Sequence, residues 1–288
     1  MNKGSRYILG TVQFGLEYGV NNTSGKPSKE KVFQILHSAH DSGITVLDSA
    51  NAYGDAENII GEFIKSTRKK FSINTKFHES SKVDINEQLR QTLEQLGVEK
   101  IEVYFYHRFE ELKDIIVKDV LIRLRNEGSI KKIGVSVYTN EEFAASIEDN
   151  AVDVIQLPFN LLDNFSKRGK FIKKAKENGK ELQVRSVFLQ GLFFMDTGSL
   201  PQKLIPLQPY LNKIKSLAAD HRLSMHDAAL AYVLSKKEID QIIIGVDSVE
   251  HLEKNLAAEQ KITNHSFATE IDKIMVEEES LLYPYNWK

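Results

Sequence analysis

Eight short apolar runs, separated by longer amphipathic stretches, constrain this chain more than any other feature of its sequence. The runs are Tyr7–Val12, Ile44–Ser49, Phe71–Lys76, Ile101–His107, Ile130–Val137, Val152–Leu157, Glu181–Val187 and Gln241–Val246. They are nearly continuous in apolar residues, as parallel strands are when helices cover one face and a barrel core fills the other. Between them, Lys29–Ser42 carries Val32, Ile35, Leu36 and Ala39 at helical spacing and stops at Gly43. Asp84–Leu96 before Gly97 and Lys113–Asn126 before Gly128 repeat the pattern, as do Ser224–Leu234 and Val249–Leu256, the latter with Ser248 as N-cap. Eight βα units over roughly 250 residues predict a (β/α)8 barrel, with residues 1–288 forming one domain. The rival, an open doubly wound sheet, usually places G-x-G-x-x-G after an early strand; here GTVQFG (Gly10–Gly15) has the wrong glycine spacing.

The strand spacing doubles after Val187. The gap holds an apolar loop, FLQGLFFMDTGSLP (Phe188–Pro201), and an extra helix over about Gln202–His221. Long loops in a barrel more often carry function than not.

Composition excludes several function classes. Lys and Arg number 38 against 40 for Asp and Glu, so no basic excess points to nucleic acid or an anionic membrane. The absence of cysteine excludes disulfides, thiolate nucleophiles and Cys-ligated zinc or iron–sulfur clusters, and no metal is expected. The first residues lack the apolar core of a signal peptide and no run has the length of a membrane span, so the expectation is a cytoplasmic protein. Nothing in the sequence sets the oligomeric state.

In a barrel, catalytic groups gather at the C-terminal ends of the strands. Asp48 ends the second run, Tyr53 follows in the loop, Lys76 ends the third run and His107 the fourth. Singly, each has an ordinary reading: a turn or cap for the Asp, packing for the Tyr, solvent contact for the Lys, a satisfied core position for the His. Together they suit acid–base work on a carbonyl. A Tyr hydroxyl, with a reference pKa of about 10, is helped toward proton exchange by a neighbouring ammonium. A buried ammonium needs an anion, which Asp48 can supply. A His can donate to a developing alkoxide.

LDSANAYGDAENIIG (Leu47–Gly61) resembles the signature segment of the aldo-keto reductase family, and the chain resembles that family over essentially its whole length. The resemblance matches the family's tetrad to Asp48, Tyr53, Lys76 and His107. It implies hydride transfer from a nicotinamide cofactor to a small aldehyde or ketone, with Tyr53 as general acid, Lys76 and Asp48 tuning it, and His107 orienting the carbonyl. It also implies cofactor contacts at Gly10 and Thr11 in the first strand, at Ser136 in GVSV and Gln156 in VIQLPFN, and at Arg185, Ser186, Val187 and Leu189 in RSVFLQG. Val137 stands where the family usually has Asn, and Arg185 where it usually has an aromatic ring against the nicotinamide; a guanidinium plane can also stack. GVDSVEHLEKN (Gly245–Asn255) resembles the loop and helix that grip the adenosine 2′-phosphate, through Gly245, Val246, Asp247, His251, Lys254 and Asn255. NADP(H) is the family default. Asp247, in place of the usual cation, favours NAD(H) or dual use because a carboxylate repels phosphate and accepts from a free ribose hydroxyl.

Phe14, Phe188, Phe193 and Phe194 are candidates to line an apolar substrate mouth, or to pack against their own barrel. Arg108 either binds a substrate anion or pairs with Glu110 or Glu111. The short RFEELKD segment and the LLYPYNWK tail suggest small lids and an open pocket. RSVFLQG also resembles a run in bacterial members associated with surface-polysaccharide gene clusters, which implies a sugar-derived carbonyl as a secondary expectation. Two other readings remain: a cofactor-binding sensor or interaction subunit without turnover, and a cofactor-free isomerase or lyase using Lys76 as a Schiff base.

Overall fold

A computed structural model describes residues 5–20, 22, 25–78, 84–259 and 265–287. Eight parallel strands close into one barrel in sequence order: β1 (Tyr7–Gly10), β2 (Val46–Asp48), β3 (Ser72–Phe77), β4 (Ile101–Tyr106), β5 (Ile130–Ser136), β6 (Val154–Pro158), β7 (Glu181–Arg185) and β8 (Gln241–Gly245). The helices are α1 (Val12–Gly15), α2 (Lys29–Asp41), α3 (Ala56–Thr67), α4 (Ile85–Leu96), α5 (Ile115–Asn126), α6 (Asn140–Glu148), α7 (Phe165–Glu177), α8 (Gln208–Asp220), α9 (Met225–Leu234), α10 (Val249–Glu259) and α11 (His265–Ile271). This is the expected (β/α)8 barrel. All but β3 are one to three residues shorter than the apolar runs, chiefly because the apolar pattern continues into the turns that leave each strand, while β3 keeps six residues and is shifted by one.

Local chemistry places the helix ends. Ser28, Asp84, Asp114, Thr139, Asn164 and Ser224 accept from backbone N–H groups of the first turns they precede. Thr139 and Glu142 form a reciprocal capping box at α6. The apolar stripes then bury Val32, Ile35, Leu36 and Ala39 of α2, and Leu121 and Leu124 of α5, against the outer face of the sheet.

The inner face departs from the expected apolar filling. Val103, Phe105 and Val154 form a small cluster separate from the main core. Below it, Asn74 donates to Gln183 at 3.4 Å, Gln183 donates to Gln241 at 2.9 Å, and Lys132 pairs with Glu181. Phe105 is the central plug: a Cβ at Gly134 would lie 2.4 Å from its ring, and the Lys76 ammonium lies 5.6 Å from its centroid. The barrel therefore presents a packed floor directly under the polar groups at its C-terminal end. The doubled gap after β7 contains 3-10 turns over Leu189–Phe194, Thr197–Ser199 and Gln202–Leu207, followed by α8.

Candidate active site

Asp48 ends β2, Lys76 is the penultimate residue of β3, His107 follows β4 directly, and Tyr53 stands in the loop between β2 and α3. All four line one cavity of about 990 Å³ at the C-terminal mouth of the barrel. The Lys76 ammonium donates to Asp48 Oδ2 at 2.6 Å and to the Ser49 carbonyl at 2.9 Å, and Gln156 Nε2 donates to Asp48 Oδ1 at 2.9 Å. The pair is almost fully buried. The Tyr53 ring packs edge-on to His107 with centroids 6.3 Å apart, and the Lys76 ammonium lies 5.4 Å from its centroid.

A second buried carboxylate fixes the Tyr53 loop from behind. Glu57, in the first turn of α3, accepts from Thr75 Oγ1 at 2.5 Å and from Asn51 Nδ2 at 3.2 Å, while Asn51 also donates to Thr92 at 2.8 Å. Burial pushes the Glu57 carboxyl above the usual range. The loop is also pinned in front by close backbone contact. A Cβ at Gly15 would lie 1.7 Å from the Tyr53 carbonyl oxygen, a place only glycine can occupy.

The electrostatics differ from the expectation at Tyr53. Burial pushes its hydroxyl above the ordinary tyrosine range, the Asp48 charge adds to this, and Arg185 opposes it. Burial holds Lys76 below its ordinary range despite Asp48. The anticipated lowering of Tyr53 by Lys76 is not seen, because the ammonium is directed to Asp48 and Ser49 rather than to the ring hydroxyl. Tyr53 is thus a protonated donor at neutral pH, the state a general acid requires.

Burial and the positive charges of Lys76, His78, Arg185 and Arg108 depress His107 to about 3, so it is a neutral donor or acceptor. The sign of its contribution to stability follows. Between about pH 6.5 and 3 the unfolded chain takes up a proton that the folded chain refuses, so stability falls as pH drops through that window. Urea unfolding of His107→Gln should therefore lose stability less steeply than the wild type between pH 6.5 and 4, with parallel behaviour above pH 7. Identical slopes would show that His107 is not buried as described.

The expected cofactor positions fall into two groups. Gly10, Thr11, Ser136, Gln156, Arg185, Ser186, Val187, Gly245, Asp247, His251, Lys254 and Asn255 line the same cavity as the tetrad. Leu189 and Val246 are instead buried in the core, with side chains turned from the cavity. Gly10 and Gly245 are paired across β1 and β8, where a Cβ at Gly245 would lie 2.5 Å from Gln13 Nε2. Gln156 Oε1, Gln13 Oε1 and His107 Nδ1 are buried without a hydrogen-bond partner, which marks them for an incoming polar ligand. Asp247 does not stand free: it pairs with His251 one turn along α10. Asn255 Oδ1 meets His226 Nε2 at 2.7 Å.

Of the expected substrate residues, Phe188 lines the cavity, as does Phe194, and so does Arg108, whose backbone N–H donates to Glu111 at 3.0 Å. Phe14 and Phe193 are corrected: both are 0% exposed and belong to the core. Phe193 and Phe194 are neighbours in one 3-10 turn, so one faces inward while the other reaches the cavity.

Two of the loops that line the cavity are joined to each other. The β1–α2 loop crosses to the loop after β7, with Val20 N–H donating to the Gln190 carbonyl at 3.1 Å and Gln190 Nε2 to the Tyr18 hydroxyl at 3.2 Å. Ser186, Leu189 and Gln190 all have positive φ, at 61°, 45° and 54°. Three left-handed non-glycine residues in one loop are strain of the kind that collects at ligand sites. Tyr18, Gln190, Tyr138, His226 and Tyr285 line the cavity and were not anticipated; His226 stacks on Phe188 with centroids 5.2 Å apart. Their signal in sequence is weak: Tyr18, Tyr138, Gln190 and Tyr285 stand in loops or 3-10 turns, and His226 near the start of α9, with no pattern that points them at the cavity. Among the described residues no group of three His, Asp or Glu could hold a metal, and no helix is long and apolar enough to cross a membrane.

Residues 6–275 match the model of the Aldo/keto reductase family. The NADH-specific methylglyoxal reductase of Escherichia coli (strain K12) is 24% identical over 300 residues, covering 88% of this chain and 89% of the relative. Aldo-keto reductase yakc [NADP(+)] of Schizosaccharomyces pombe is 27% identical over 276 residues, covering 83% and 81%. A crystal structure from Pseudomonas aeruginosa assigned to the aldo-keto reductases superposes with a TM-score of 0.68 at 22% identity, covering 90% of this chain and 91% of that one.

Proposed function

Because this chain belongs to the aldo/keto reductase family of oxidoreductases, we propose that it reduces the carbonyl of a small aldehyde or ketone, with Tyr53 supplying the proton. The observation that carries this reading is the convergence of Asp48, Tyr53, Lys76 and His107 in one cavity with Ser136, Gln156 and the Gly245–Asn255 segment. When bound, a reduced nicotinamide supplies the hydride to the carbonyl carbon. Tyr53 donates its hydroxyl proton to the carbonyl oxygen, so an alcohol forms and the phenolate is left beside the Lys76 ammonium. The Lys76 ammonium stabilises that phenolate, and Asp48 keeps the lysine charged and in place. His107, neutral, donates to the carbonyl oxygen and fixes its position.

The unpartnered Gln156 Oε1 suits the amide protons of a carboxamide, with Ser136 beside it across β5 and β6. Gly10 and Thr11 lie at the strand end from which backbone can approach the cofactor closely, with Ser186 and Val187 in the strained loop. Leu189 and Val246 serve only as buried supports of their loops. The substrate mouth is formed by Phe188 and Phe194, with Arg108 at its rim. The location we propose is the cytoplasm, where aldo-keto reductases generally act.

At the adenosine end, Asp247 is opposed by His251 and Lys254. A carboxylate near a phosphate costs about 1–2 kcal/mol at a partly solvated site, close to what one Lys returns. NADPH and NADH should accordingly be used within about tenfold of each other in kcat/KM, a difference of about 1.4 kcal/mol. Steady-state rates with methylglyoxal and each cofactor check this. Asp247→Arg should shift preference toward NADPH, by an amount that shrinks at high salt. An NADPH preference above about a thousandfold in the wild type would contradict the balance of charges at this loop.

A further inference from the structure

Arg185 closes β7 and brings an uncompensated positive charge into the cavity. Its hydrogen bonds reach Ser186 Oγ at 3.4 Å, Ser136 Oγ at 3.5 Å and the Val137 carbonyl at 3.3 Å, all neutral and all long. Its guanidinium carbon lies 4.2 Å from the centroid of the Tyr138 ring. Among the described residues it has no carboxylate partner. The carboxylates that line the cavity are engaged elsewhere or stand at its rim. Asp48 holds Lys76, Asp247 holds His251, and Glu142 accepts from the Tyr138 and Thr139 N–H groups at 2.6 and 3.2 Å. Glu110 is exposed at the mouth. The wall shared by Tyr53, Ser136 and Gln156 thus carries one net positive charge.

We propose that Arg185 makes the site select the redox state of its cofactor, binding the neutral reduced nicotinamide ring in preference to the cationic oxidised ring. The inference rests on the hydride-transfer reading above, which sets the ring beside Ser136 and Gln156. Reduced and oxidised cofactors share every group outside the nicotinamide ring, so the charge on that ring is the main electrostatic difference between them. Two unit charges about 6 Å apart at an effective dielectric near 40 change an equilibrium constant roughly tenfold. The site then holds the cofactor that enters carbonyl reduction and expels the one that leaves it.

Binding, not turnover, tests this. Calorimetric titrations of wild type, Arg185→Gln and Arg185→Lys with NADH, NAD+, NADPH and NADP+ give the ratio of dissociation constants for each redox pair. The wild type should favour the reduced form about tenfold. Arg185→Lys keeps the charge and should keep most of the ratio. Arg185→Gln should cut it at least fivefold, mainly by tightening the oxidised form relative to the reduced; Arg185→Met provides a second neutral variant if the first does not fold. Equal weakening of both forms in the neutral variants, or an unchanged ratio, would overturn the proposal and leave the cofactor reading intact. Failure of the wild type to bind any of the four would overturn both.

Discussion

Tyr53→Phe is expected to keep cofactor affinity within about twofold while lowering kcat on the order of 10²-fold or more, the usual consequence of removing a general acid. The ring remains, so its edge contact with His107 and its place above the Lys76 ammonium are retained. Only the hydroxyl, which burial and Asp48 keep protonated, is lost. Steady-state kinetics with methylglyoxal, alongside titration of the reduced cofactor, separates the two quantities. Turnover within about threefold of the wild type would remove Tyr53 from the chemistry.

Lys76→Met should cost both activity and stability, and the two losses can be taken apart. The Asp48 carboxylate is 4% exposed and would retain only the Gln156 amide as a partner. Removing one member of a buried pair typically destabilises by about 3–5 kcal/mol, because the remaining charge has lost both water and its counterion. Urea unfolding should show a loss of that order. The double variant Asp48→Asn with Lys76→Met should recover most of it, since the pair can be replaced by neutral groups at little cost. Turnover should remain low in both variants, because the phenolate left by proton transfer has no ammonium beside it. Full activity in Lys76→Met would exclude Lys76 from the site, and a double variant as unstable as the single one would show that the unpaired charge is not the cause.

Strand ends were legible in the sequence because apolar runs and helix stops mark them independently, and Asp48, Lys76 and His107 could be located from strand order alone. Tyr53 was legible through the segment around it, although the Glu57 and Asn51 network that holds its loop was not. Those residues look like ordinary exposed positions until the barrel folds them inward against Thr75 and Thr92. Hydrophobicity predicted burial for Phe14 and Phe193 but not on which side of the wall they would lie. The polar inner face was visible only as weak alternation in IKKIGVS and ELQVR, which mixed with the apolar outer face into nearly continuous runs. The amphipathic pattern of α7 is similarly faint. Its sequence, FSKRGKFIKKAKE, is crowded with lysines, and its buried stripe consists of Arg168, Gly169, Ile172 and Ala175. Arg168 is fully buried by pairing with Asp163, and no apolar pattern announces a residue of that kind.

Positive φ at Ser186, Leu189 and Gln190 has no sequence signature either, because these residues do not favour that region of backbone space. The clasp between Tyr18, Val20 and Gln190 likewise joins two loops far apart in the chain. Both features concern how the cavity is covered, and the coverage of a barrel depends on loop–loop contacts that carry little periodicity.

The most direct measurement is the fate of deuterium carried on the nicotinamide ring of the reduced cofactor. The enzyme is supplied with methylglyoxal and with cofactor fully deuterated at the transferring carbon, and the alcohol is examined by mass spectrometry. Hydride transfer predicts one deuterium on the former carbonyl carbon in the wild type and labelled alcohol reduced on the order of 10²-fold or more with Tyr53→Phe in the same time. Unlabelled product, or a borohydride-stable adduct at Lys76, would contradict hydride transfer and point instead to Schiff-base chemistry at that lysine.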